Sequence, residues 1–163
     1  MNVVTRLASE IRLMMRRPER LQFAALCYRK TGDKSGVEIL LITSRGTGRW
    51  VIPKGWPMNG KLAHAVAERE AYEEAGVKGK AEVKPLGTYS YMKGLDSGLE
   101  IPCKVQVHAL KVGNFANNYK EKGQREMAWF SCEDAALRVM EPELKEMIRA
   151  FEKRALSPSA ESA

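Results

Sequence analysis

Apolar positions cluster in short runs separated by turn residues. Leu21 to Tyr28 (LQFAALCY) and Val37 to Thr43 (VEILLIT) predict two strands, with a turn at Thr31-Gly32-Asp33 and Gly36 between them. Trp50 to Ile52 is a short apolar piece, and Pro53 to Gly60 (PKGWPMNG) predicts a loop. Leu62 to Ala75 has helical spacing and stops at Gly76, the usual glycine position past a helix end. Val83 to Tyr91 and Ile101 to Val112 carry strand patterns, Asn114 to Arg125 is a polar loop, and Met127 to Ser131 is a short strand. Glu133 to Met140 and Pro142 to Leu156 predict two helices split by Pro142, and the final SPSAESA predicts a disordered tail over 157–163. Strands surround one central helix and another helical segment closes the chain, so the expected fold is one mixed α/β sandwich over residues 21–156.

The first twenty residues, MNVVTRLASEIRLMMRRPER, place Val4, Leu7, Ile11 and Met14 or Met15 at helical spacing. They predict an N-terminal helical extension that packs on the domain or on a partner chain. An organelle presequence or a membrane-surface helix stays open beside it, as does a homodimer.

The charge balance narrows the partners. Lys and Arg number 27 against 20 Asp and Glu, a net charge of +7. That excess favours an anionic partner such as a nucleotide, a phosphorylated small molecule, RNA or a membrane surface, with a plain solvated basic surface as the alternative. Cys27, Cys103 and Cys132 are far apart, and His64 and His108 stand alone, which argues against a zinc site and a disulfide framework. A reducing cytoplasm is the expected location, and no apolar run is long enough to span a bilayer.

The central helix carries the chemistry. Its last turns hold Glu70, Glu73 and Glu74 just before Gly76. The helix dipole is negative at that end, and like charges at i,i+3 and i,i+4 repel. On a wheel of about 100° per residue, Leu62, Ala63, Val66 and Ala67 share one arc with the three glutamates, while His64, Glu68 and Tyr72 lie on the other side. The acids therefore continue the apolar stripe instead of opposing it. Arg69 can balance only one of them. A hard divalent cation with oxygen ligands is the simplest compensator, and a salt-bridged surface helix is the alternative.

Gly55 to Val77 (GWPMNGKLAHAVAEREAYEEAGV) resembles the Nudix box, G-x5-E-x7-R-E-U-x-E-E-x-G-U with U apolar. Gly55, Arg69, Glu70, Glu73, Glu74 and Gly76 match, and Ala71 and Val77 fill the apolar places. The one departure is Lys61, where the box has a glutamate. The resemblance covers roughly Leu21 to Phe151 and implies a Nudix-type α/β/α sandwich with a mixed sheet. It also implies hydrolysis of a phosphoanhydride. Glu70, Glu73, Glu74 and the Gly55 carbonyl would hold Mg²⁺ or Mn²⁺, Arg69 would orient the carboxylates, and one glutamate would act as base toward water.

Members of the family often place a further acid outside the box, and Glu126 and Glu121 are the candidates here. Arg45 and Lys54 precede the box and are candidates to bind phosphate. Lys61 either reaches a substrate phosphate or is a neutral surface replacement. Trp50, Trp56, Tyr89 and Tyr91 could stack on a base, or be buried in the core. The approach S-R-x-x-x-x-W-x-x-P-K-G looks most like that of the diadenosine polyphosphate and diphosphoinositol polyphosphate hydrolases, whose anionic substrates suit the basic balance. An RNA 5′-end pyrophosphohydrolase, a basic RNA binder and a non-catalytic nucleotide-binding module remain the alternatives.

Overall fold

The computed structural model describes residues 2–8, 18–32 and 36–156. After a helical stretch over residues 3–8, the chain forms strands β1 (Arg20–Lys30), β2 (Val37–Thr43), β3 (Trp50–Val51) and β4 (Lys54–Gly55). Helix α1 (Ala63–Ala75) follows, then β5 (Val77–Ala81), β6 (Gly87–Gly94), β7 (Glu100–Phe115) and β8 (Met127–Ser131). Helices α2 (Cys132–Arg138) and α3 (Pro142–Ala155) end the described fold.

The sheet is mixed. Its main path runs β3-β2-β1-β7-β5, with β4 added to β1, β6 to β7 and β8 to β2. β1 and β7 are parallel, from Arg20 opposite Cys103 to Tyr28 opposite Lys111, and the other pairs are antiparallel. The central strands are buried on both faces, which is why β1 and β2 read as unbroken apolar runs. Ala24 and Leu26 of β1, with Ile39 and Leu41 of β2, join Ala135, Leu144, Ile148 and Phe151 of α2 and α3. Ala25 and Cys27, with Leu40 and Ile42, join Ala67, Ala71 and Ala75 of α1. The expected α/β/α sandwich is the observed fold.

Some boundaries differ from the sequence reading. β5 was absent from it because VKGKA offers two lysines and a glycine. Gly79 is required there, since a Cβ would lie 2.4 Å from the Lys111 carbonyl oxygen. The strand expected from Val83 begins instead at Gly87, and Val83 is exposed. Pro85 lacks the N–H a ladder needs. Leu62 caps α1 and is exposed, so it leaves the packed arc. In the N-terminal extension Val4 and Leu7 are exposed. Ile11, Met14 and Met15 lie outside the described residues, as does the tail 157–163. Among the described residues no helix is long and apolar enough to cross a membrane.

Candidate active site

Alanines set the position of α1. Ala67, Ala71 and Ala75 are fully buried, and side chains this small let the helix lie close on β1 and β5. β4 pairs with β1 at Phe23 and Ala24, which brings Gly55 against the same helix. A Cβ on Gly55 would fall 2.1 Å from Oε1 of Glu70, so only glycine leaves room for that carboxylate. The Lys54 backbone N–H donates to Glu74 Oε2 at 3.2 Å. Two backbone features of the strand thus fix two carboxylates of the helix.

The loop after β7 closes the other side. Gly76 takes a left-handed conformation (φ 68°), and its N–H donates to Tyr72 O at 2.9 Å, which ends the helix. A Cβ on Gly76 would lie 2.5 Å from the Tyr119 ring. The loop donates Ala116 N–H to Gly76 O (2.8 Å) and Glu121 N–H to Glu73 O (2.9 Å). These bonds satisfy carbonyls at the negative end of α1 and bring Glu121 to its acids. Arg125 joins the parts. Its guanidinium donates to Thr43 O at 3.0 Å, lies 3.2 Å from Glu121 Oε2 and reaches Glu74 Oε1 at 3.5 Å, with only 9% of the side chain exposed.

The result is a polar cleft of about 690 Å³ into which Glu70, Glu73, Glu74 and Glu121 all project. A larger cavity of about 890 Å³ lies under α3, lined by Leu86, Met147 and Phe151 and by the charged Glu82, Lys84, Glu143, Glu146 and Arg154, half as many charged residues as line the cleft. Chemistry, not size, selects the cleft. Burial pushes the Glu74 carboxyl up to about 7, although Arg125 and Lys54 pull it down. Glu70 is also raised, first by burial and then by Glu73 and Glu121. Burial lowers the half-buried Lys54 to about 8, and Glu74 partly opposes that shift.

A hard divalent cation fits this donor set. Burial first, and neighbouring carboxylates after it, disfavour ionisation of Glu70 and Glu74, and such an ion would offset both. Among the described residues no three acidic, histidine or cysteine side chains are already gathered as a ligand shell. Arg69 holds Glu73 at 2.9 Å and Arg125 holds Glu121, so those two would turn toward an incoming ion.

A family model of the NUDIX domain matches residues 19–151. The chain belongs to the Nudix hydrolase family. It is 31% identical over 137 residues to Nudix hydrolase 12, mitochondrial, of Arabidopsis thaliana, covering 76% of this chain and 67% of that protein. It is 31% identical over 115 residues to human diphosphoinositol polyphosphate phosphohydrolase 3-alpha, covering 69% and 64%. The chain therefore spans about two thirds of the length of these relatives. A C. elegans Ap4A hydrolase, solved as a binary complex, superposes with TM-score 0.59 at 21% identity over 81% of this chain and 94% of that one. At that identity the likeness concerns the fold.

Within this Nudix fold, the cleft gathers Arg45, Lys54, Gly55, Glu70, Glu73 and Glu74, with Trp56 at its wall. Arg69 acts at one remove, through Glu73. Four expected site residues lie elsewhere. Tyr89 is 2% exposed and packs in the core beneath β6. Trp50 packs edge-on against Phe130 and the α2–α3 core. Glu126 opens into a different surface hollow with Thr43 and Gly48, because it pairs through its backbone with Thr43. Of the two loop acids that were candidates, Glu121 lines the cleft and Glu126 does not. Lys61 is exposed on the back of α1 beside Ala65, Glu68 and Tyr72, so it reaches no group in the cleft. Its substitution removes no carboxylate from the site. Glu68 serves the fold, accepting from Ala81 N–H at 2.7 Å. The sequence reading missed Arg125, Lys93 and Lys120. All three sit in polar segments whose only signal is charge.

Proposed function

We propose that this chain hydrolyses a phosphoanhydride bond in a polyphosphorylated small molecule, with Mg²⁺ or Mn²⁺ as cofactor. The carrying observation is the convergence of four carboxylates, two of them raised by burial and mutual repulsion, on one polar cleft. Glu70, Glu73, Glu74 and Glu121, with the Gly55 carbonyl, would hold the cation. When bound, such an ion neutralises phosphate charge, orients the anhydride and makes its bound water more acidic. Gly55 gives Glu70 the space it occupies, and the Lys54 N–H fixes Glu74. Arg69 and Arg125 aim Glu73 and Glu121. One of the carboxylates would take a proton from the attacking water.

A dinucleoside polyphosphate is the favoured substrate. Trp56, 38% exposed at the cleft wall, offers a base a stacking face. The basic excess of the chain is not concentrated in the cleft. Its lining has five cationic residues (Arg45, Lys54, Lys93, Lys120, Arg125) against five acidic ones (Glu70, Glu73, Glu74, Asp96, Glu121). A lining balanced in this way suits a short phosphate chain better than a densely phosphorylated ring. The second reading, a diphosphoinositol polyphosphate, is favoured by the human relative at 31% identity.

The test is product release with Mg²⁺ or Mn²⁺ from diadenosine tetraphosphate, ADP-ribose, nucleoside triphosphates, a diphosphoinositol phosphate and 5′-triphosphate RNA. Diadenosine tetraphosphate is expected to turn over fastest, and Glu74→Gln to lower its kcat on the order of 10²-fold or more. Preference for the inositol or the RNA would overturn the substrate reading. Turnover of none, with both metals, would overturn the enzyme.

A further inference from the structure

The cleft cations are not equivalent. Arg45 lies 3.0 Å from Glu121, and Arg125 serves Glu121 and Glu74. Lys54 is half-buried, and Glu74 is the acid that acts on it most. The two arginines are committed to acids that a metal site would use, and the Lys54 ammonium, which forms no ion pair among the described residues, rests 5.2 Å from the centre of the Tyr91 ring. Lys93 and Lys120 differ. Among the described residues neither forms an ion pair. The Lys93 ammonium rests 5.9 Å from the centre of the Trp56 ring, a weak contact that a phosphate would outcompete. Lys120 is exposed on the loop whose backbone is clamped to α1 by Ala116 and Glu121.

The two lysines also come from separate walls. Lys93 lies on β6 and within electrostatic reach of Lys54, on the β4 side. Lys120 lies in the loop after β7 and within reach of Glu70, on the helix side. Both lysines line the same cleft as the carboxylate cluster. A substrate whose anhydride sits at the carboxylates would meet one uncommitted ammonium on each side.

We propose that Lys93 and Lys120 are specificity-determining residues that grip phosphates on the two sides of the bond to be cleaved, so that the site selects chains of three or more phosphates over a simple diphosphate. This rests on the functional reading above for the place of the anhydride, but the grip itself is a binding property. A diphosphate places both phosphates at the carboxylates and leaves at least one lysine without a partner. Each further phosphate gains one charge-assisted contact.

Calorimetric titration of inorganic tetrapolyphosphate and pyrophosphate, with Ca²⁺ present to slow turnover, tests this without requiring hydrolysis. Lys93→Gln and Lys120→Gln are each expected to weaken tetrapolyphosphate about tenfold, the worth of one charged contact, and to leave pyrophosphate within about twofold. The double variant should lose about a hundredfold. Lys93→Arg and Lys120→Arg should retain most of the affinity. Lys80→Gln removes one exposed charge from β5, away from the cleft, and should change neither anion. Equal weakening of both anions would reduce the lysines to a general field and overturn the grip. So would no weakening, or no tetrapolyphosphate binding by the wild type. If tetrapolyphosphate binding depends on both lysines while no substrate is hydrolysed, the proposed hydrolysis fails and the grip stands. If hydrolysis proceeds and binding ignores the lysines, the reverse holds.

Discussion

Helices α1 and α3 are nearly equal in length, 13 and 14 residues, and are built on opposite principles. α3 follows the rules of a self-supporting helix. Pro142 opens it, Glu143 lies in its first turn, and Lys153 and Arg154 lie in its last, where the dipole favours them. Its core stripe of Leu144, Ile148 and Phe151 is large and fully apolar. α1 breaks most of these rules. Neither helix has a side-chain cap, but in α1 the first turn has no acid and the last turn has no base. Its buried face is mostly alanine, and Glu74 joins it. Its support comes from outside: the Lys54 N–H, Arg125 and the Glu121 N–H each meet a group that α1 leaves unsatisfied. One helix holds the fold. The other is held by the fold, in order to carry charge.

The comparison breaks most visibly where apolar packing is removed. Phe151→Ala deletes a buried ring that packs edge-on against Tyr28 at 4.8 Å, and should cost about 3–5 kcal/mol in denaturant unfolding. Protein that remains folded should keep its kcat, because α3 contributes nothing to the cleft lining. Gly55→Ala should behave in the opposite way. The atom its Cβ meets is the end of the Glu70 side chain, so the carboxylate moves and the backbone stays. Hydrolysis should fall by about 10- to 100-fold with the melting temperature nearly unchanged. Equal losses of stability and activity in both variants would erase the distinction between the helices.

The same contrast explains what could be read from the sequence. α3 and the strands β1 and β2 were legible because apolar period and length determine them locally. The acids of α1 were legible as an anomaly, since three carboxylates continuing an apolar stripe demand compensation. The compensators were not legible. Arg125 lies 51 positions beyond Glu74 by residue number and meets it only because β8 pairs with β2 and returns the loop to Thr43. Glu121 and Glu126 are both loop acids in a polar stretch, and only the Glu73–Glu121 backbone bond decides which enters the cleft. Tyr89 and Tyr91 share a strand face, yet Tyr89 lies deeper, while the Tyr91 hydroxyl reaches Gln22 at 2.6 Å. Depth along a strand is a property of the assembled layers, so alternation alone could not separate a stacking tyrosine from a core one.

The smallest expected effect is a dependence of stability on pH, and it isolates the charge on α1. Below about 4.5, the ordinary value for a glutamate, the Glu74 carboxyl is protonated in the folded and unfolded chains alike and costs nothing. Between there and about 7 the unfolded chain has released this proton while the folded chain still holds it. Metal-free protein should therefore lose stability as pH rises through this window, by about 1–3 kcal/mol. Glu70, raised in the same direction, adds to the slope. Unfolding followed in chelator from pH 5 to 7.5 should show the decline, and Glu74→Gln should flatten most of it. Phe151→Ala should lower the whole curve and leave its slope alone, because the ring it removes lies on the other face of the sheet. Millimolar Mg²⁺ should restore the loss at the upper end, since an ion bound to the ionised carboxylates stabilises the state that pH makes costly. A wild-type curve that stays flat in chelator would mean that Arg125 and Lys54 already balance Glu74, leaving α1 as self-sufficient in charge as α3 is in packing.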